Sequence, residues 1–196
     1  MISKLKPMSN KYIKNKKIIR YQNPYFFGSE IKNIEATIKS GQLTGPNNFV
    51  SKCEKLLESQ LLCKKILLTA SGTDALEMAC ILAKFSKDDE IIIPSYNFPS
   101  AATSIIRCGA IPVFVEVNSH DMNISIKSIQ NAISSKTKGI ILTHYAGVSA
   151  QIFEIMKIAD INNLIVIEDA AQAIYSKNKA QYLGTIGHLG ILSFHF

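Results

Sequence analysis

Two acids and an amide at the end of an aliphatic run are the residues best placed to do chemistry in this chain. In Asn163-Leu-Ile-Val-Ile-Glu-Asp-Ala-Ala-Gln172, the carboxyls of Glu168 and Asp169 follow a nearly uninterrupted aliphatic stretch, and Gln172 comes one turn later. Such a run, bounded by polar residues, fits a strand buried on both faces, as in a parallel sheet. In open α/β sheets ligands sit in the crevice beyond the carboxyl ends of the strands, which puts Asp169 and Gln172 at a ligand edge. The same two acids also suit the cap of a following helix, a purely structural role.

Three further loops fall at comparable points. Thr69-Ala-Ser-Gly-Thr-Asp74 joins an expected strand to an expected helix, and its small residues let backbone N–H groups approach an anion at the helix start. An ordinary N-cap by Ser71 or Thr73 accounts for the same residues. Neither GxGxxG nor GxxxxGK[ST] occurs, so the common NAD and ATP loops are not supported. Pro94-Ser-Tyr-Asn-Phe-Pro-Ser100 carries two aromatic rings on which a flat ligand could stack, or which could simply anchor the loop. His144-Tyr-Ala-Gly147 occupies the equivalent place after another strand, with the role of its histidine left open. An anion site, an aromatic plate and an acid at one sheet edge together suit pyridoxal phosphate. The phosphate would meet the helix start, the ring an aromatic, and a carboxylate the pyridine nitrogen, keeping it protonated so that the ring accepts electrons.

The elements that must position these loops alternate between strand and helix. Ser29 caps an expected helix with Ile31, Ile34 and Ile38 at helical spacing, ending near Gly41. Leu43-Thr-Gly-Pro46 reads as a turn, and a second helix starts near Asn47 or Asn48 with Val50, Cys53, Leu56 and Leu57 inward. Then come a strand over 65–69, a helix over 73–85 with Leu76, Met78, Ala79 and Leu82 mostly inward, a strand over 90–94 and a helix over 100–107. A strand over 111–117, a helix over 124–133, a strand over 139–143, a helix over 152–161 and the acid-tipped strand follow. The last residues, 190–196, read as one more strand. This order predicts an α/β fold, a doubly wound and mostly parallel sheet with right-handed crossovers.

Composition narrows the class of protein. With 196 residues and 47% hydrophobic content the chain can bury a sizeable core. No apolar run approaches the roughly 20 residues that cross a bilayer, and the expectation is a soluble, cytoplasmic protein with no membrane partner. The net charge of +7 resides in Lys4, Lys6, Lys11, Lys14, Lys16, Lys17 and Arg20, with no acid among residues 1–20. That stretch is expected to be a poorly ordered basic tail, and the rest of the chain, electrically balanced, offers no nucleic-acid face. Cys53, Cys63, Cys80 and Cys108 form no CxxC pair and are expected to be small buried hydrophobes, neither a disulfide frame nor a zinc site.

Ser71-Gly-Thr-Asp-Ala-Leu-Glu-Met-Ala, Pro94-Ser-Tyr-Asn-Phe, Asp121-Met-Asn-Ile, His144-Tyr-Ala-Gly-Val, Glu168-Asp-Ala-Ala-Gln and Leu183-Gly-Thr-Ile-Gly-His-Leu-Gly with Ser193-Phe-His recur in order. From about Gln22 onward they resemble the DegT-type nucleotide-sugar aminotransferases, most of all the dTDP-4-amino-4,6-dideoxygalactose transaminases of surface-polysaccharide (lipopolysaccharide) synthesis. The resemblance implies the type I pyridoxal 5'-phosphate (PLP) aminotransferase fold, a homodimer, and amino transfer from glutamate to a keto-sugar nucleotide. It also implies that Gly72 and Thr73 hold the cofactor phosphate with help from Ser193, that Phe98 lies on the ring face, and that Asp169 pairs with the pyridine nitrogen. Gln172 would reach the ring hydroxyl, and His195 lies in the block beside the cofactor lysine. In the family the Schiff-base lysine falls just past the position of Phe196, so the resemblance assigns no catalytic residue to these 196 residues. The expectation is an incomplete large domain over 21–196, without the C-terminal small domain and inactive as given. A non-catalytic remnant that binds PLP or a full-length paralogue, and a lysine-less sugar dehydratase of the same fold, are the alternatives.

Overall fold

The structure is a computed structural model that describes residues 27–44 and 48–195. The basic N-terminal stretch, residues 45–47 with the second half of the turn expected at 43–46, and Phe196 lie outside the described residues.

Helix α1, Glu30–Ser40, belongs to the first of two units of the chain. Ser29 precedes it but makes no side-chain cap. The Glu30 carboxylate instead accepts the N–H groups of Phe27 and Gly28, which fastens the chain entering the helix, and Gly41 closes the helix in the left-handed region.

From Gln42 onward the chain builds a three-layer α/β unit. Its helices are α2 (Asn48–Leu61), α3 (Gly72–Leu82), α4 (Ser100–Arg107), α5 (Ile126–Ala132) and α6 (Ile152–Asn162). Its sheet contains β1 (Glu90–Pro94), β2 (Ile111–Val115), β3 (Thr137–Thr143) and β4 (Ile165–Asp169). A two-residue hairpin, β5 (Lys177–Asn178) with β6 (Gln181–Tyr182), precedes β7 (Leu189–Ile191). The large sheet runs in the order β2-β1-β3-β4-β7 and every pairing in it is parallel, as the alternating pattern predicts.

Both faces of this sheet are covered, and the side-chain parity of the strands divides the core in two. Ile91, Ile93, Ile141, Ile167 and Ile191 point to one face, where Leu76, Ala79 and Cys80 of α3 and Ile105 of α4 cover them. Ile92, Ile140, Leu142 and Val166 point to the other, under Ile129 of α5 and Ile152, Ile155 and Ala159 of α6. At about 25 cal/mol per Å² of apolar surface, this two-sided burial is the main drive for the fold. Packing leaves no room for a side chain at Gly139, where a Cβ would stand 2.4 Å from the Phe85 ring and 2.9 Å from the Ile165 carbonyl oxygen.

Three expectations are corrected. Residues 65–69 form no strand; the N–H groups of Ile66 and Leu68 are accepted by the carboxylates of Glu58 (3.0 Å) and Glu54 (3.2 Å). These acids lie one turn apart on α2 and so serve two amides that are two residues apart. On α2 only Leu57 and Leu61 are buried, while Leu56 and Cys53 are exposed; on α3, Leu82 is exposed and Cys80 is buried instead. Of the four cysteines, then, Cys80 alone is a buried hydrophobe, and all four are free thiols.

Candidate functional site

Strand β4 carries its two acids to opposite faces of the sheet. Asp169 shares the parity of Ile167 and faces the α3/α4 side; Glu168 shares that of Val166 and faces the α5/α6 side. No helix follows β4, only turns over 170–176, so neither acid caps one and the structural alternative fails.

Asp169 is 5% exposed, in register with Thr143 of β3 and Ile191 of β7. One carboxylate oxygen accepts the Ala171 N–H at 3.2 Å. Burial pushes the Asp169 carboxyl above its ordinary range, and the Ala171 N–H and the nearby His144 offset this only in part. Beside it, the Thr143 hydroxyl is buried without a hydrogen-bond partner, as is the side-chain N–H₂ of Asn97 on the loop after β1. Buried polar atoms are normally paired, and an orphan beside an under-served carboxyl marks a place for polar ligand atoms.

The anion end lies at the start of α3. Ser71 caps the helix by accepting the Asp74 N–H, and the first intrahelical bond runs from Ala75 N–H to the Ser71 carbonyl. The N–H groups of Gly72 and Thr73 precede that bond, with the positive end of the helix dipole behind them. The N-cap reading and the anion reading therefore coexist: Ser71 serves Asp74, and the two amides before it remain for a ligand. Ser193, two residues past β7, lies against this turn, 3.6 Å from where a Cβ on Gly72 would be.

Gln172 is oriented by backbone. A turn over Tyr145–Gly147 holds Ala146 and Gly147 at positive φ, and the Ala146 N–H donates to Gln172 Oε1 at 2.7 Å. A side chain on Gly147 would crowd the Gln172 carbonyl oxygen at 3.1 Å. With its oxygen engaged, the amide presents N–H donors, the polarity that a phenolate-type oxygen requires.

Aromatic residues form the other rim. Phe98 is 72% exposed at the mouth of α4, two strands away from β4, and Tyr96 meets Tyr145 with hydroxyls 3.1 Å apart and ring centres 5.1 Å apart. His195 is exposed, and its backbone N–H donates to the Ser193 hydroxyl. The structure thus brings Gly72 and Thr73 to Ser193, and Asp169 to Thr143. Phe98 stands exposed at the rim, and His195 reaches the group through its backbone N–H to Ser193.

Sequence reasoning missed two residues and misjudged the part of a third. Thr143 and Asn97 gave no signal beyond being polar at strand ends. Glu168 gave one, a charge within an aliphatic run. It is fully buried and collects four donors: His144 Nε2 (2.8 Å) and the N–H groups of Gly184 (3.0 Å), Ile186 (2.7 Å) and Gly187 (2.5 Å). Burial alone would raise its pKa, but the His144 hydrogen bond and the Gly187 and Gly184 N–H groups outweigh it and hold the carboxyl below its ordinary range. His144 Nδ1 accepts the Ala150 N–H, which places the ring proton on Nε2, facing Glu168.

Parallel sheet, crossover helices and the ligand edge together form an α/β architecture that superposes on solved aminotransferases. The chain belongs to the DegT/DnrJ/EryC1/StrS aminotransferase family, which its residues 27–196 match. It is 30% identical over 178 residues to GDP-perosamine synthase of Escherichia coli, covering 91% of this chain and 49% of that protein. An aminotransferase from Psychrobacter cryohalolentis superposes with a TM-score of 0.83 at 32% identity, covering 87% of this chain and 44% of that one. A putative sugar aminotransferase from Streptococcus pneumoniae in its PLP form gives 0.83 at 25% identity, with 90% and 49% covered. The chain spans about half the length of the curated relatives it matches.

The residues present fit PLP. Helix-start amides suit its phosphate, a buried carboxyl that lacks a cationic partner suits its ring N–H, and an amide presenting donors suits its ring oxygen. Among the described residues no cluster offers a metal site, and no helix is long and apolar enough to cross a membrane.

Proposed function

We propose that this chain is the cofactor-binding portion of a nucleotide-sugar aminotransferase. In this reading the amino group passes from glutamate to a dTDP-4-keto-6-deoxyhexose for a surface polysaccharide, and the working enzyme is a cytoplasmic homodimer. Bound PLP supplies an electron sink for a carbanion on the substrate. The Gly72 and Thr73 amides and Ser193 hold the phosphate. Asp169 keeps a proton on the ring nitrogen, Gln172 donates to the ring oxygen, and Phe98 shields the ring face from water. His195 borders the phosphate end through its bond to Ser193.

The observation that carries this reading is Asp169: a carboxyl buried on the face that holds the α3 amides, raised by burial and served by one N–H. None of the residues placed at this site is a lysine, so their part is to bind and orient the cofactor, and they do not supply the amine that would join it covalently. Equilibrium dialysis with PLP tests the binding, and saturable uptake lost in Asp169→Ala is the expected result. Borohydride trapping of a pyridoxyl-lysine adduct in this polypeptide would show that one of its own lysines reaches the ring. Running GDP- and dTDP-linked keto-sugars side by side on a full-length relative carrying these residues tests the nucleotide.

A further inference from the structure

Outside the ligand edge, the most heavily bonded polar group in the described structure is Glu168, and the mechanism above makes no use of it. Its four donors come from two separate segments. His144 begins the loop after β3, and it is itself fastened at three atoms: Nε2 to Glu168, Nδ1 from Ala150 N–H, and its backbone N–H to the Asp169 carbonyl oxygen. Gly184, Ile186 and Gly187 lie on the loop that leads into β7. That loop is pressed against its neighbours. A Cβ at Gly187 would lie 3.1 Å from the Val166 carbonyl oxygen and 3.2 Å from Glu168 Cγ, and one at Gly190 would overlap the Gly184 carbonyl.

The consequence is geometric. The loop fixed by Glu168 continues through β7 to Ser193, which meets the phosphate turn at Gly72; the residue after Glu168 is Asp169, at the ring end. We infer that Glu168, with His144, is a positioning residue that fixes the spacing between the phosphate-holding and ring-holding ends of the site, acting through the 183–188 loop from the opposite face of the sheet. This assignment rests on the reading of the site as a PLP site.

A residue that sets this spacing matters most to a ligand that must reach both ends at once. Pyridoxal, which lacks the phosphate, reaches one end; PLP reaches both. In Glu168→Gln one carboxylate oxygen becomes an N–H₂ group facing backbone N–H donors, so the loop is released while side-chain volume is kept. Equilibrium dialysis of the 196-residue chain and its variants against PLP and against pyridoxal is the test. Glu168→Gln is expected to weaken PLP about tenfold and pyridoxal much less, so that the ratio of the two affinities falls. His144→Asn, which removes one donor of four, is expected to lower the ratio in the same direction by a smaller factor, and it decides the matter if Glu168→Gln does not fold. General loosening of the protein would weaken both ligands alike and leave the ratio where it was. An unchanged ratio in a folded variant, with saturable PLP uptake by the unaltered chain, overturns this assignment and leaves the proposed function standing. No saturable PLP uptake by the unaltered chain removes both.

Discussion

Glu168 and Asp169 are consecutive on one strand, both buried, yet their surroundings differ in nearly every physical respect. Glu168 points to the α5/α6 face and collects four donors, enough to hold its charge in place despite burial. Asp169 points to the α3/α4 face, accepts one N–H, and is pushed toward its neutral form. A buried anion that the protein satisfies itself is structure; one left unsatisfied waits for a ligand. The two-residue repeat of a strand lets one chain segment support both conditions side by side.

The largest effect should come from taking the satisfied anion away. Glu168→Ala leaves three backbone N–H groups and an imidazole N–H unpaired in the interior, and a loss of about 3–5 kcal/mol in urea unfolding is expected. The comparison fails if that variant is as stable as the unaltered chain. Acid titration sharpens the point. The Glu168 carboxyl lies below its ordinary value of 4.5 in the fold, so its contribution is present above that value and is lost as pH falls through the folded pKa. Glu168→Gln should lack that part of the acid slope when unfolding is followed between about pH 5 and 2.

For Asp169 the sign reverses. Its pKa is raised from 3.8, so ionisation costs folding free energy above that value and costs none below it. Asp169→Asn keeps an oxygen for the Ala171 N–H and removes the charge, and is expected to raise stability at pH 7 by about 1 kcal/mol, a shift of roughly 2–4 °C in Tm, while weakening PLP uptake. A protein that becomes less stable and binds PLP as before would show that Asp169 belongs with Glu168. The smallest effect is expected at Gln172. Its partner, the Ala146 N–H, is near water that can replace it, so Gln172→Ala should cost only about 0.5–1 kcal/mol in stability while lowering PLP affinity.

Sequence patterning gave α4 at 100–107 and the parallel alternation because those elements announce themselves within a few residues. It misread 65–69, since the groups that satisfy its amides, Glu54 and Glu58, lie on an earlier helix. Likewise the pattern of β4 singled out Asp169 for the ligand edge but left the separate role of Glu168 unread. That depends on Gly184, Ile186 and Gly187, 16 to 19 residues downstream, converging on one carboxylate. Thr143 looked like any strand-end threonine; only its burial without a partner sets it apart.

The two glutamates of α2 have an effect at a distance from where they sit. Lys65 Nζ and the Ile66 N–H hold the Glu58 carboxyl low, so acid must reach well into its range before that grip relaxes. The segment they tether runs directly into Ser71, Gly72 and Thr73. Only acid strong enough to protonate Glu58 should therefore fray the approach to the α3 turn, and milder souring should leave that approach tethered.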